Sequence, residues 1–172
     1  MLSTPELLTG FCNSVDQWIG YLDAYTLQQL QQRPAPDSWS LGQVYQHLIS
    51  DTRFYTEQME AAMATDEHAD CAMTPEAAAL FAVNSFPNKP LANPFNDIHL
   101  QQPESKEQLR RQLTGIREKV CQLFKNASIR KGKTLHPGFQ YFNAAEWLQF
   151  ADMHLRHHLW QKEKIDKAIL QA

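Results

Sequence analysis

The chain has 172 residues, 43 % of them hydrophobic and 20 % charged, which is enough apolar material for one cored domain and too much for a disordered chain. A formal net charge of -3 offers no attraction to nucleic acid or to an anionic membrane surface. With only 6 Gly, a turn-rich all-β protein is disfavoured, and 3 scattered cysteines (Cys12, Cys71, Cys121) speak against a disulfide framework and suit a reducing cytosol.

The segment Met1 to Glu6 has no basic region and leads into no long apolar run, so it does not read as a signal peptide, and no stretch approaches the roughly 18 apolar residues of a spanning helix. A soluble, cytoplasmic protein is expected. The first predicted helix runs from about Pro5 to Gln32, with Leu7, Phe11, Val15, Trp18, Leu22, Tyr25 and Leu30 near one face. Pro34 and Pro36 stop it. Ser40 caps the second helix, with Gln43 as its reciprocal partner and Trp39 and Val44 as a hydrophobic staple. Its stripe continues through Leu48, Tyr55, Met59 and Ala62, with His47 and Asp51 on or beside it.

From about Thr65 to Pro103 the periodicity dissolves among five prolines, apart from a short helix around Pro75 to Val83. The third long helix spans about Lys106 to Phe124, with Ser105 and Gln108 as a second capping box. A basic loop with glycines follows from Arg130 to Gly138, and no alternating run suggests a sheet. The fourth helix starts at the Asn143 cap with Glu146 and ends near Leu170, with Lys162, Lys164 and Lys167 towards its negative end. Four long helices with one long crossover between the second and third describe a single all-α domain over residues 1–172, a four-helix bundle.

The segment Asp152 to Gln161 carries the chemistry. His154 and His158 lie four residues apart on one helical face, in the stripe Trp147, Phe150/Ala151, His154, His158, Gln161, Ile165. Two imidazoles at the centre of a core-facing stripe are costly to bury without partners, and a divalent metal removes that cost. Leu155 follows His154 where zinc proteases carry glutamate, so that hydrolase type is not supported. His47, mid-helix beside the second buried stripe, is the candidate third ligand, and Asp51 one turn on is placed to orient an imidazole. His47 taken alone reads more readily as a core or boundary histidine than as a ligand. His157 points about 60° away from His154 and is placed as a flanking neighbour. His68, His99 and His136 fall in loops and read as solvated. Cys12 and Cys121 read as packing residues, and Cys71 has nothing near it in sequence to activate it. No phosphate loop, nucleophile elbow or di-iron Glu-x-x-His pair occurs.

In three features the chain resembles the DinB-like superfamily: Trp39-Ser40-x-x-Gln43-x-x-x-His47-Leu48, the proline-rich crossover, and His136-Pro137-x-Phe139 to Glu146-Trp147 followed by His154-x-x-His157-His158-x-x-Gln161. Gln43 stands where the family often has Glu, a difference that bears on capping. The resemblance implies a four-helix bundle, often dimeric, holding zinc, nickel or iron on three histidines. Position by position these are His47, His154 and His158, with Asp51, His157 and Gln161 around them.

Characterised relatives include transferases and isomerases that use bacillithiol, mycothiol or glutathione. The expected function is therefore a metal-dependent enzyme acting on a small molecule. It is either an S-transferase using a low-molecular-weight thiol or a related hydrolase, with Phe81, Phe86 and Phe95 lining the entry. The other reading is a non-catalytic interaction protein whose metal or histidine cluster is structural. A homodimer through a face bearing Trp18 or Trp160 is expected from the family.

Overall fold

Ser3 opens the fold by donating its backbone N–H to Glu6 Oε2 at 2.7 Å, which caps α1 (Thr4–Tyr21) in the computed structural model. Pro5 occupies the first turn, where its missing N–H costs nothing. The structure describes residues 2–88, 100–126 and 130–170. The predicted helix from Pro5 to Gln32 is broken in two. After a 3-10 turn at Leu22–Ala24, Tyr25 is extended at φ -124°, and Thr26 caps a new short helix, α2 (Leu27–Gln31). Thr26 and Gln29 form a capping box that competes with continuation of α1, and Tyr25 turns its hydroxyl to Asp166 Oδ1 at 2.6 Å.

The second long helix, α3 (Leu41–Ala64), begins at Ser40 as expected. Its first turn is pressed against α2 and against Pro103. A Cβ on Gly42 would lie 2.7 Å from Pro103 Cδ and 2.9 Å from the Leu30 carbonyl, so only glycine fits. The short helix α4 (Pro75–Val83) is capped by Thr74 and ends at Asn84, in the left-handed region at φ 50°. Then come α5 (Lys106–Asn126) and α6 (Ala144–Ile169), the latter capped by Asn143 with Glu146.

Between α5 and α6 lies a hairpin that no alternating run in the sequence marks. Strand β1 (Thr134–His136) pairs antiparallel with β2 (Gln140–Phe142), with Thr134 opposite Phe142 and His136 opposite Gln140. Three residues per strand are too few to show alternation.

The helices α1, α3, α5 and α6 form the bundle. The main contacts join α3 to α6, α1 to α6, α3 to α5 and α1 to α5, so each helix packs on two neighbours around a shared core. The all-α fold with its crossover between α3 and α5 is as the sequence implies. The largest fully buried side chains include Trp18, Trp147, Tyr45, Phe11 and Phe142. Trp18, expected on an exposed dimer face, is wholly buried and donates its indole N–H to the Leu155 carbonyl at 3.0 Å. Trp160 is half-buried, with Lys164 Nζ 3.6 Å above its ring. Among the described residues no helix is long and apolar enough to cross a membrane.

Candidate metal centre

Two helix starts aim the site. Ser40 and Gln43 exchange bonds at 3.1 Å each way and fix the first turn of α3, which carries His47 two turns later onto the buried face. Asn143 and Glu146 do the same for α6 at 2.9 and 2.7 Å. There the four-residue spacing of His154 and His158 puts both rings on the side facing α3.

The three imidazoles meet tip to tip. His154 Nε2 lies 3.2 Å from His47 Nε2 and 3.1 Å from His158 Nε2. Each residue is 8 or 9 % exposed. His158 Nδ1 faces Gln161 Oε1 at 2.7 Å. An amide oxygen only accepts, so Nδ1 carries the proton and Nε2 presents a bare lone pair to the cluster. His47 Nδ1 stands 3.5 Å from Asp51 Oδ1, which favours the same tautomer there. At most one proton can then be shared in the cluster, and His154 Nδ1 is buried without a hydrogen-bond partner.

Burial dominates the protonation of all three rings. It pushes His158 down to about 3 and His154 well below the ordinary imidazole range, with the neighbouring histidines adding to the effect. Burial lowers His47 as well, against the opposing pull of Asp51. Three imidazoles kept neutral, with lone pairs converging, are the donor set of a borderline metal ion. Nitrogens about 2.1 Å from a tetrahedral ion stand roughly 3.4 Å apart, close to the two separations that His154 makes, and all three ligand atoms lie within 4.8 Å of one another. The chemistry of the donors therefore fits a divalent metal.

Asp51 and Gln161 sit beside the cluster as expected. Asp51 Oδ2 lies 3.7 Å from His154 Nε2 and accepts the Tyr55 hydroxyl at 3.3 Å. Burial raises the Asp51 carboxyl above its usual range. His157 points away, its ring 5.8 Å from Phe86 and 6.4 Å from Trp160, so His158 and not His157 joins His154.

Two neighbours were missed. Tyr55 lies eight residues after His47 and one turn beyond Asp51, a spacing already visible in the α3 stripe. Trp39, read only as a staple, lays its ring 5.0 Å from that of His47.

Other expectations change. His136, read as solvated turn chemistry, packs among Trp147, Phe142, Phe139 and Phe150 at 4.8 to 5.3 Å. Burial lowers it to about 4, and its Nδ1 accepts the backbone N–H groups of Gly138 and Phe139 at 3.1 and 3.2 Å. His68 is exposed, with its ring against Tyr141, and its Nδ1 is 4.0 Å from Cys71 Sγ, a neighbour the sequence did not suggest.

Phe86 is 5 % exposed, and Phe81 and Phe86 both pack on Phe150, so these rings build the wall beside α6 rather than line an opening. Phe95 and His99 lie outside the described residues, as do Pro90 and Pro94. Two grooves, of about 430 and 510 Å³, run along the other side of α3 past Arg53 and Glu57 and include none of the three histidines.

The family model of the DinB superfamily matches residues 14–161, a span that takes in the starts of α3 and α6 and all three clustered histidines. No curated protein and no solved structure matches the chain.

Proposed function

The chain belongs to the DinB superfamily, and on that premise we propose that it is a divalent-metal-dependent enzyme. The sharper form is an S-transferase that uses a low-molecular-weight thiol, and the looser form a hydrolase acting on a small molecule. The observation that carries the proposal is the convergence of three neutral imidazoles through Nε2, with Gln161 setting the tautomer of His158 and Asp51 favouring the same one in His47.

In this reading His47, His154 and His158 hold zinc, nickel or iron. Three protein ligands leave coordination positions free, the pattern of a catalytic rather than a structural site. Such a metal acidifies a thiol or a water that reaches it and so makes a nucleophile available near neutral pH.

The chain's own groups supply the rest. Gln161 holds the His158 ring in the Nδ1–H tautomer, and Asp51 favours the same in His47. Asp51 remains partly open to solvent, with a side chain 29 % exposed, and its Oδ2 lies beside the converging nitrogens. It is placed to take the proton that a thiol or water gives up there, while the Tyr55 hydroxyl donates to the same oxygen and steadies it. Trp39 covers the His47 ring and limits water on that side.

The experiment is elemental analysis of untagged protein together with a screen of thiols against electrophiles and of hydrolysable esters and amides. One equivalent of a transition metal and turnover of one substrate class are expected. His154→Ala should abolish metal binding and activity while the metal-free melting temperature stays nearly unchanged. Absence of bound metal refutes the site. A metal-loaded protein that turns over nothing, and unfolds on His154→Ala, supports the structural role instead.

A further inference from the structure

Cys12 and Cys121 stand 109 residues apart in sequence, yet their Sγ atoms are 3.2 Å apart across the α1–α5 seam. Both are free thiols and both are half-buried, within reach of a small reagent. Their meeting is part of a register. Four residues further along α1, Asp16 pairs with Arg117, four residues back along α5, at 2.8 Å. Seven residues on again, Asp23 meets Arg110, seven residues back, at 2.6 Å. The helices run antiparallel, and one straight row of side-chain pairs holds their facing surfaces in step. The sulfurs are the end rung of that row.

We propose that Cys12 and Cys121 form an oxidisable dithiol, a modification site that takes low-molecular-weight disulfides as oxidant and locks α1 to α5. The sulfurs need to close by about an ångström to reach a covalent bond, a change that side-chain rotation can absorb. The step is thiol–disulfide exchange. The Cys121 thiolate attacks one sulfur of a disulfide RSSR, forming a mixed disulfide and releasing RS⁻, which takes up the proton that Cys121 lost. Cys12 then attacks the Cys121 sulfur and releases the second RS⁻, which takes the Cys12 proton. The protein dithiol is oxidised by two electrons, and RSSR is reduced to two RSH.

Burial, with the contact to Cys121, pushes the Cys12 thiol up to about 12. That keeps Cys12 protonated in the resting protein and leaves the first attack to Cys121, and Cys12 makes the second because its sulfur already lies beside the target, 3.2 Å away. The product ties α1 to α5, and α1 in turn holds α6 through Ser14 to Asp152 at 2.6 Å and Trp18 to Leu155. The exchange needs no metal and no residue of the histidine cluster.

The test treats the reduced full chain with oxidised glutathione. It then counts thiols, weighs the intact protein and maps its peptides, with Cys71 as an internal measure of reagent access. The expected product has lost two hydrogens through a Cys12–Cys121 link, which dithiothreitol reverses, and its melting temperature rises by roughly 5 to 15 °C. In Cys12→Ser the reaction should stop at a glutathione adduct on Cys121, because the resolving sulfur is gone. A stable adduct on Cys121 in the unaltered protein overturns the proposal. So do Cys12 and Cys121 both remaining reduced while Cys71 reacts.

Discussion

Asp152 and His154 stand two residues apart on α6, both buried, in opposite surroundings. Asp152 accepts the Ser14 hydroxyl at 2.6 Å and Arg156 Nε at 3.0 Å, and Arg156 also donates to Asn84, which takes a further bond from Gln149 at 3.1 Å. Donor meets acceptor at every step of that network, which ties α6 to α1 and to the end of α4. His154 meets the bare nitrogens of His47 and His158, and its second nitrogen has no hydrogen-bond partner. A buried polar group that is fully partnered serves the fold, whereas one whose partners are all of the same kind is waiting for something of the opposite kind. The helix thus carries a closed network and an open one side by side.

The largest way to break this contrast is at the closed end. Asp152→Ala leaves the Arg156 guanidinium and the Ser14 hydroxyl without their acceptor, and should cost about 3 kcal/mol of unfolding free energy. Chemical denaturation measures the cost, and metal content measured on the folded variant should be unchanged. If metal is lost while stability holds, the two networks are one.

A smaller effect is expected at the rim of the open network. Gln161→Leu removes the acceptor that sets the His158 tautomer, and should weaken metal binding about 10- to 100-fold with little change in stability. Gln161→Glu keeps an acceptor and should restore most of the affinity. Competition against a chelator reads both variants. Equal affinity for all three proteins would mean that the His158 ring is held by packing alone.

The open network was the more legible of the two. His154 and His158 announce themselves by helical phase, and His47 by its distance from a capping box, so local spacing was enough to nominate them. Asp152 was passed over because its partners come from α1 and from Asn84, a residue in the left-handed region that no periodicity marks. The break at Tyr25–Thr26 was legible in principle, since Thr26-x-x-Gln29 is a capping box, but it sits inside an apolar run that continues in phase. The meeting of Cys12 with Cys121 depends on which helices become neighbours, and spacing within a helix is silent on that. His136 was misread because its turn residues, Pro137 and Gly138, are those of an exposed loop, while the ring belongs to the aromatic wall against Trp147 and Phe150.

His136 extends the contrast to a half-buried histidine outside the cluster. Its Nδ1 is satisfied by two backbone N–H groups within its own turn, so it belongs with Asp152 among the closed sites although its residue type matches the open one. The turn itself carries strain. Gln140, which closes the hairpin opposite His136, sits at φ 66°, where a residue with a Cβ is disfavoured. Gln140→Gly relieves that conformation while adding freedom to the unfolded chain, and the balance should be a gain of about 0.5 kcal/mol. Denaturant titration measures it, with metal content as the companion reading. Metal content should not move, because a histidine whose acceptor nitrogen is already filled has nothing left to offer the cluster on that side. A loss of metal on easing this turn would place His136 with the open network after all.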